Sequence, residues 1–228
     1  KIIHEKGIGL VSVQDPAETG LAGWLLKKTL GIKLHIQIHA DFFSPFFRKN
    51  SWKERMRYLL ARFILPSGDA FRVVSERIRT SLNSKLKIQN SKVMVLPIFV
   101  DRERIAGAAP SFDLRKKYPQ FDFIILMVLR LVREKNIGLA LGAFAEFVDE
   151  FPKSGLVIVG DGPERKNLES RIQNLELSEN VRLEGWQNDP VSYYKGADIY
   201  LLASNFEGYG RSVIEAAAAG CPVVMTDT

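Results

Sequence analysis

Short apolar runs alternate with longer amphipathic stretches along the whole of this sequence. The runs IGLVSV (8–13), KLHIQIH (33–39), AFRVVS (70–75), KVMVLPI (92–98), FDFIILMVL (121–129), GLVIVG (155–160), NVRLEG (180–185), DIYLLAS (198–204) and CPVVMT (221–226) predict strands. Several are rich in Val, Ile and Leu without clean alternation, as strands covered on both faces of a parallel sheet are. Helical patterning falls between them, at about 17–30, 51–65, 76–86, 137–150, 163–175, 190–195 and 209–219. Strand–helix alternation of this kind predicts an α/β protein with parallel sheets. The stretch 99–120 has little strand character and several breakers, and reads as an interdomain linker. The expected organisation is a first domain over 1–105, a linker over 106–120 and a second domain over 121–228.

Charge sharpens the division. Residues 1–120 carry 22 Lys and Arg against 10 Asp and Glu, a net of +12, whereas residues 121–228 carry a net of −6. Opposite signs in the two halves suggest different partners. The one cysteine, Cys221, excludes an internal disulfide framework and fits a reducing, cytoplasmic setting. The first residues lack the apolar stretch and cleavage site of a signal peptide, and no apolar run is long enough to span a bilayer. The chain opens without Met and closes where a buried strand should lead into a loop, so it reads as a segment of a longer protein.

Candidate chemistry gathers where the second-half strands end. DIYLLAS runs into NFEGYGRSVIEAAAAG (205–220), a glycine-containing turn followed by a helix. Ligands of open α/β sheets bind beyond the carboxyl ends of strands. Gly208 and Gly210 allow close backbone approach, and the helix start offers free N–H groups to an anion. Glu207 stands before that helix and Glu215 about two turns into it. Carboxylates accept hydrogen bonds from hydroxyls, so the pair beside an anion site suits a ligand with both phosphate and sugar. The competing reading is an ordinary helix with two surface glutamates. VLRLVREKN (128–136) places Arg130, Arg133 and Lys135 at another strand end, cations suited to phosphate oxygens in an otherwise acidic half. VIVGDGPER (157–165) is a third strand-end turn; Arg165 stands where the dinucleotide fingerprint needs its third glycine. No His and Asp cluster has metal-ligand spacing, so no metal and no cofactor are expected.

In order and spacing, RLVREKN, LVIVGDGPER, NVRLEGW, YYKGADIYLLAS and EGYGRSVIEAAAAGCPVVMTD resemble the C-terminal domain of the retaining group 1, family four glycosyltransferases. In the first half, QIHADFFSPFF, SGDAFRVVSERIRTSL and KVMVLPIFVDRERI resemble the same family. The resemblance implies the GT-B fold, two Rossmann-like domains with parallel sheets facing across a cleft, here cut at both ends. It implies a nucleotide diphosphate sugar as donor, a hydroxyl of a glycan or lipid-linked molecule as acceptor, and retaining transfer of a hexose-type sugar. Arg130 and Lys135 would bind the diphosphate. Glu215 would take the ribose hydroxyls, and Glu207, with Gly208, Tyr209 and Gly210, the donor sugar. Gly185 and Trp186 would lie near the base, and His39 would face the reacting sugar. The catalytic pair implied is thus Glu207 and His39, with Arg130 and Lys135 in place of a metal. Three departures from the family's pattern stand out. Leu129 replaces a glycine and is expected to crowd the diphosphate, Ala40 follows His39, and Phe99 replaces an Asn. A non-catalytic nucleotide-binding subunit and a nucleotide-sugar epimerase are the alternatives. His4 and His35 read as structural.

One stretch belongs to neither pattern. Residues 42–65, FFSPFFRKNSWKERMRYLLARFIL, combine Arg48, Lys49, Lys53, Arg55, Arg57 and Arg62 with Trp52, Met56, Leu59, Leu60 and Phe63 at helical spacing. One reading packs this apolar stripe on the first domain. The other lays it on an anionic membrane, at the inner face of the cell membrane. No nucleic-acid motif accompanies the charge.

Overall fold

The computed structural model describes residues 5–45 and 51–228; His4 and residues 46–50 of the basic stretch, with Arg48 and Lys49, lie outside the described residues. Contacts divide the chain into two compact units, Lys1–Ile98 and Phe99–Thr228.

The first unit runs β1 (Leu10–Val13), α1 (Glu18–Leu30), β2 (Lys33–Ile38), α2 (Trp52–Ile64), β3 (Ala70–Val73), α3 (Glu76–Leu86) and β4 (Val93–Val95). Its strands form a parallel sheet in the order β1-β2-β3-β4. Leu34, Ile36, Ile38, Phe71 and Val73 are buried between sheet and helices. Ser51 and Ser75 start α2 and α3 by accepting hydrogen bonds from the N–H groups of Glu54 and Ile78, as N-caps do.

The amphipathic helix α2 differs from its packed reading. Its inward side is built from Ala61 and Ile64, both fully buried, and Arg57 pairs with Glu18 of α1 at 3.0 Å. The large apolar residues point outward: Trp52 is 80% exposed, Met56 48%, Leu59 49% and Phe63 58%. They recur every three or four positions along one helix face. The Phe63 ring lies 5.1 Å from that of Trp24 on α1, which also exposes Leu21 and Leu25.

The second unit contains α4 (Arg102–Gly107), α5 (Leu114–Lys117), β5 (Phe123–Val128), α6 (Ile137–Glu150), β6 (Ser154–Val159), α7 (Arg165–Asn174), β7 (Val181–Gly185), α8 (Pro190–Gly196), β8 (Ile199–Leu202), α9 (Arg211–Ala218) and β9 (Val223–Met225). Five parallel strands are ordered β7-β6-β5-β8-β9. Every residue of β6 is buried, as its unbroken apolar run requires. The order reverses direction at β5, so β5 and β8 flank a topological switch point.

The stretch 99–120 packs with this second unit. Lys195 of α8 donates to the carbonyls of Ala106 and Ala108 at 2.7 and 2.6 Å. Ser111 donates to Ser192 and Asp189 at 2.7 and 2.6 Å. Arg115 pairs with Asp198 at 2.5 Å, and Leu114 is fully buried. These contacts hold the stretch as a strap across α8.

Candidate functional site

The sheet aims two loops at the switch point: residues 129–136 after β5 and 203–210 after β8. An ion pair and hydrogen bonds join them. Lys135 Nζ lies 2.5 Å from Glu207 Oε1, Asn205 N–H donates to Glu134 O at 2.9 Å, and Asn136 Nδ2 donates to Asn205 Oδ1 at 3.2 Å. The Lys135 and Glu207 side chains are only 20% and 13% exposed. A charged pair held half-dry at the mouth of a sheet interacts more strongly than a surface pair. Ser204 Oγ donates to the same Glu207 oxygen at 2.8 Å. Below, the buried Tyr200 hydroxyl sits 3.1 Å from Val128 O and 2.7 Å from Ser212 Oγ, tying the end of β5 to the start of α9.

Gly210 caps α9 with φ +74°, a left-handed conformation that favours glycine, and α9 has no side-chain cap at its N-terminus. The helix start is therefore electrostatically suited to an anion. Glu215, one to two turns in, is 15% exposed; Arg211 Nε lies 2.7 Å from Oε1 and the Tyr194 hydroxyl donates to Oε2 at 3.2 Å. Burial first, then the neighbouring Tyr200 and Glu215, pushes the Tyr194 hydroxyl well above its ordinary value, so it stays a neutral donor. Neither Glu207 nor Glu215 is the solvated surface carboxylate of the competing reading. Ala216 is fully buried, and α9 packs against α4 and α8.

Arg130 is open to solvent, its side chain 72% exposed and 3.6 Å from Glu134. Arg133 is equally exposed and 3.4 Å from Glu164. Leu129, expected to crowd a diphosphate, is 9% exposed and belongs to the second unit's apolar core. The reason lies in GDGP. A Cβ on Gly160, whose φ is +132°, would stand 1.9 Å from Leu129 O. The loop after β6 thus lies directly on the backbone of 129–131, with Leu129 N–H bound to Val159 O and Leu131 N–H to Asp161 O at 3.0 and 2.9 Å. These glycines shape the loop that carries Arg130.

Gly185 and Trp186 sit at the carboxyl end of β7, with Trp186 78% exposed. Gly208 and Tyr209 are half-buried within the 203–210 loop. His39 follows β2 in the first unit; burial, then Arg72, lowers its pKa below the ordinary value, so its ring is neutral at pH 7. His35 is bound to Ser12 Oγ at 2.9 Å, a structural role. Ser204, Asn136, Asn205 and Tyr200 escaped the sequence reading. Only Tyr200, an aromatic with a polar tip inside an aliphatic strand, carried a signal. Among the described residues, no group of three or more His, Cys, Asp or Glu side chains is placed to hold a metal ion.

The sequence profile described as glycosyl transferases group 1 matches residues 112–228, just over half of the chain. The chain belongs to this family. The profile described as glycosyltransferase family 4 matches residues 1–104 of this group 1 glycosyltransferase sequence. Over 98% of its length it is 38% identical to the alpha-monoglucosyldiacylglycerol synthase of Streptococcus pneumoniae, covering 53% of that protein. It is 31% identical to a Campylobacter jejuni N-acetylgalactosaminyltransferase acting on a diphospho-undecaprenol, over 81% of this chain and 48% of the relative. The chain thus spans about half the length of these curated relatives. Among solved structures, HepE of Anabaena with UDP and glucose superposes with a TM-score of 0.79 at 20% identity, over 98% of this chain and 60% of HepE. Sucrose-phosphate synthase of Thermosynechococcus elongatus gives 0.81 at 23% identity, over 98% and 57%. At these identities the likeness shows the fold, which for this chain is GT-B.

Proposed function

We propose that the protein containing this chain is a retaining glycosyltransferase. It moves a hexose-type sugar from a nucleotide diphosphate sugar to a hydroxyl of a glycan or lipid-linked acceptor, without a metal ion. The observation that carries this reading is the Lys135–Glu207 pair at the switch point, beside an uncapped helix start. Glycosyl transfer builds negative charge on the departing diphosphate and positive charge on the sugar ring. Fixed cations and amide dipoles aimed at the first, with carboxylates within reach of sugar hydroxyls, stabilise that separation. Arg130, Lys135 and the α9 amides take the diphosphate in this reading, Glu215 the ribose, and Glu207 with Gly208, Tyr209 and Gly210 the donor sugar. Gly185 and Trp186 take the base. His39 is proposed as the second catalytic residue. The core placement of Leu129 takes away the specific ground for a non-catalytic subunit. Calorimetric titration of the full-length protein with UDP, GDP and ADP tests the reading. One nucleotide is expected to bind at micromolar Kd, about tenfold more weakly in Glu215→Ala and in Arg130→Ala, since each loses charge-assisted hydrogen bonds. Binding of none of the three, or binding untouched by both substitutions, sinks it. Full turnover in excess EDTA is the expected result for metal independence.

The outward stripe on α2 supports an acceptor met at an anionic membrane surface, with the enzyme on its cytoplasmic side. No helix among the described residues is long and apolar enough to cross a membrane. Trp52, Met56, Leu59 and Phe63 would enter the headgroup layer while Lys53, Arg55 and Arg62 meet its charge. Phosphatidylglycerol vesicles are expected to sediment the protein and phosphatidylcholine vesicles to leave it free. Replacing the three cations by Gln should weaken sedimentation at least tenfold. Equal behaviour on both vesicles would assign the stripe to protein packing.

A further inference from the structure

A heavily partnered carboxylate of the second unit lies outside the switch point. Glu184, at the end of β7, has a side chain 10% exposed. Its Oε1 accepts the Tyr118 hydroxyl; its Oε2 accepts the Tyr193 hydroxyl and the Lys117 ammonium. Lys117 in turn lies 5.6 Å from the ring centre of Phe112 and 5.4 Å from those of Tyr118 and Tyr193. A cation held on three aromatic faces and one carboxylate has little freedom to leave them. The strap supplies Phe112, Lys117 and Tyr118, while α8 supplies Tyr193. Burial alone would lower the Lys117 pKa, but Glu184 and Tyr193 outweigh it and hold the ammonium charged.

Glu184 immediately precedes the turn of Gly185 and Trp186. Its own carbonyl accepts Gln187 Nε2 at 3.0 Å, closing that turn. Gly185, at φ +71°, accepts Gly160 N–H at 2.7 Å. One side chain therefore anchors the turn to the strap, and a main-chain bond anchors it to the loop that shapes 129–131.

We propose that Glu184, gripped by Lys117, Tyr118 and Tyr193, is a positioning residue for nucleotide recognition: it sets the height and angle of the Gly185–Trp186 turn against the base. This rests on the reading that this turn receives the base. The clamp touches neither the diphosphate nor the sugar. Loosening it therefore weakens a nucleoside diphosphate while sparing inorganic pyrophosphate, which a general loss of structure would not spare.

The test uses the full-length protein and calorimetry with UDP, GDP, ADP and pyrophosphate, on Glu184→Gln, Lys117→Met, Lys117→Arg and Trp186→Ala. Thermal unfolding reports the folded fraction of each. The expected result is a roughly tenfold weaker Kd for the bound nucleotide in Glu184→Gln and Lys117→Met, pyrophosphate within twofold of the parent, and partial recovery in Lys117→Arg. Should Glu184→Gln fail to fold, the two Lys117 variants carry the same comparison. Equal losses for nucleotide and pyrophosphate, or no loss in a folded Lys117→Met while Trp186→Ala weakens the nucleotide, overturns the proposal. A Trp186→Ala protein that binds the nucleotide like the parent overturns instead the underlying assignment of the base to this turn.

Discussion

Lys135→Ala is expected to lower kcat/KM by about 10²- to 10³-fold, or about 3–4 kcal/mol of transition-state stabilisation. Two effects combine. In the proposed reading, the substitution removes a fixed positive charge from the place where the leaving diphosphate would gather its own. It also strips Glu207 of the ammonium 2.5 Å away, leaving a carboxylate 13% exposed beside Ser204. Breaking a shielded pair by removing one member costs more than the pair itself contributes. Because both residues share one contact, their effects do not add. The double variant Lys135→Ala with Glu207→Gln should be no slower than about threefold below the worse single variant. Steady-state kinetics with the donor identified by calorimetry makes the check. A Lys135→Ala enzyme within about threefold of the parent would remove the pair from the mechanism.

The second large effect falls on stability. Gly160→Ala is expected to cost about 4 kcal/mol or more, because the new Cβ meets a main-chain oxygen at 1.9 Å and the backbone holds φ +132°. Neither the oxygen nor the turn can move without breaking the Leu129–Val159 and Gly160–Gly185 hydrogen bonds. For a unit of this size that corresponds to a melting temperature lower by about 10 °C or more. Gly142 provides the contrast. It lies inside α6 with open space at the position of a Cβ, so Gly142→Ala should stabilise by about 0.5–1 kcal/mol. Differential scanning calorimetry of both variants makes the comparison; a Gly160→Ala protein that melts with the parent would show that the turn relaxes freely.

Strands were the legible part of the fold. Each predicted strand overlaps an observed one, since runs such as FIILMV and GLVIV fit little else between two helical layers. The helices Arg102–Gly107 and Leu114–Lys117 were not predicted, because six and four residues are too few to display a helical period. Within the candidate site, the chemistry of each residue could be read locally: carboxylates, cations and glycines stand at strand ends. Their pairing could not. Lys135 and Glu207 meet across 72 positions, and Lys117 and Glu184 across 67. Such encounters are set by which strands lie side by side, and the crossover order of a sheet leaves no trace in local spacing. The outward face of α2 was illegible for a related reason: periodicity shows that a stripe exists but not which way it turns.

The strap also determines where this polypeptide can be divided. A fragment starting at Phe121, where the sequence places the second domain, would lack Lys117 and Tyr118 and leave Glu184 without its ammonium partner. It would also leave Lys195 without the carbonyls of Ala106 and Ala108, and bare the surface that Leu114 covers. A fragment starting at Phe99 keeps all of these partners. The segment that resembles a tether in composition is thus inherited with the second unit, and any exchange of that unit between related proteins must carry it along.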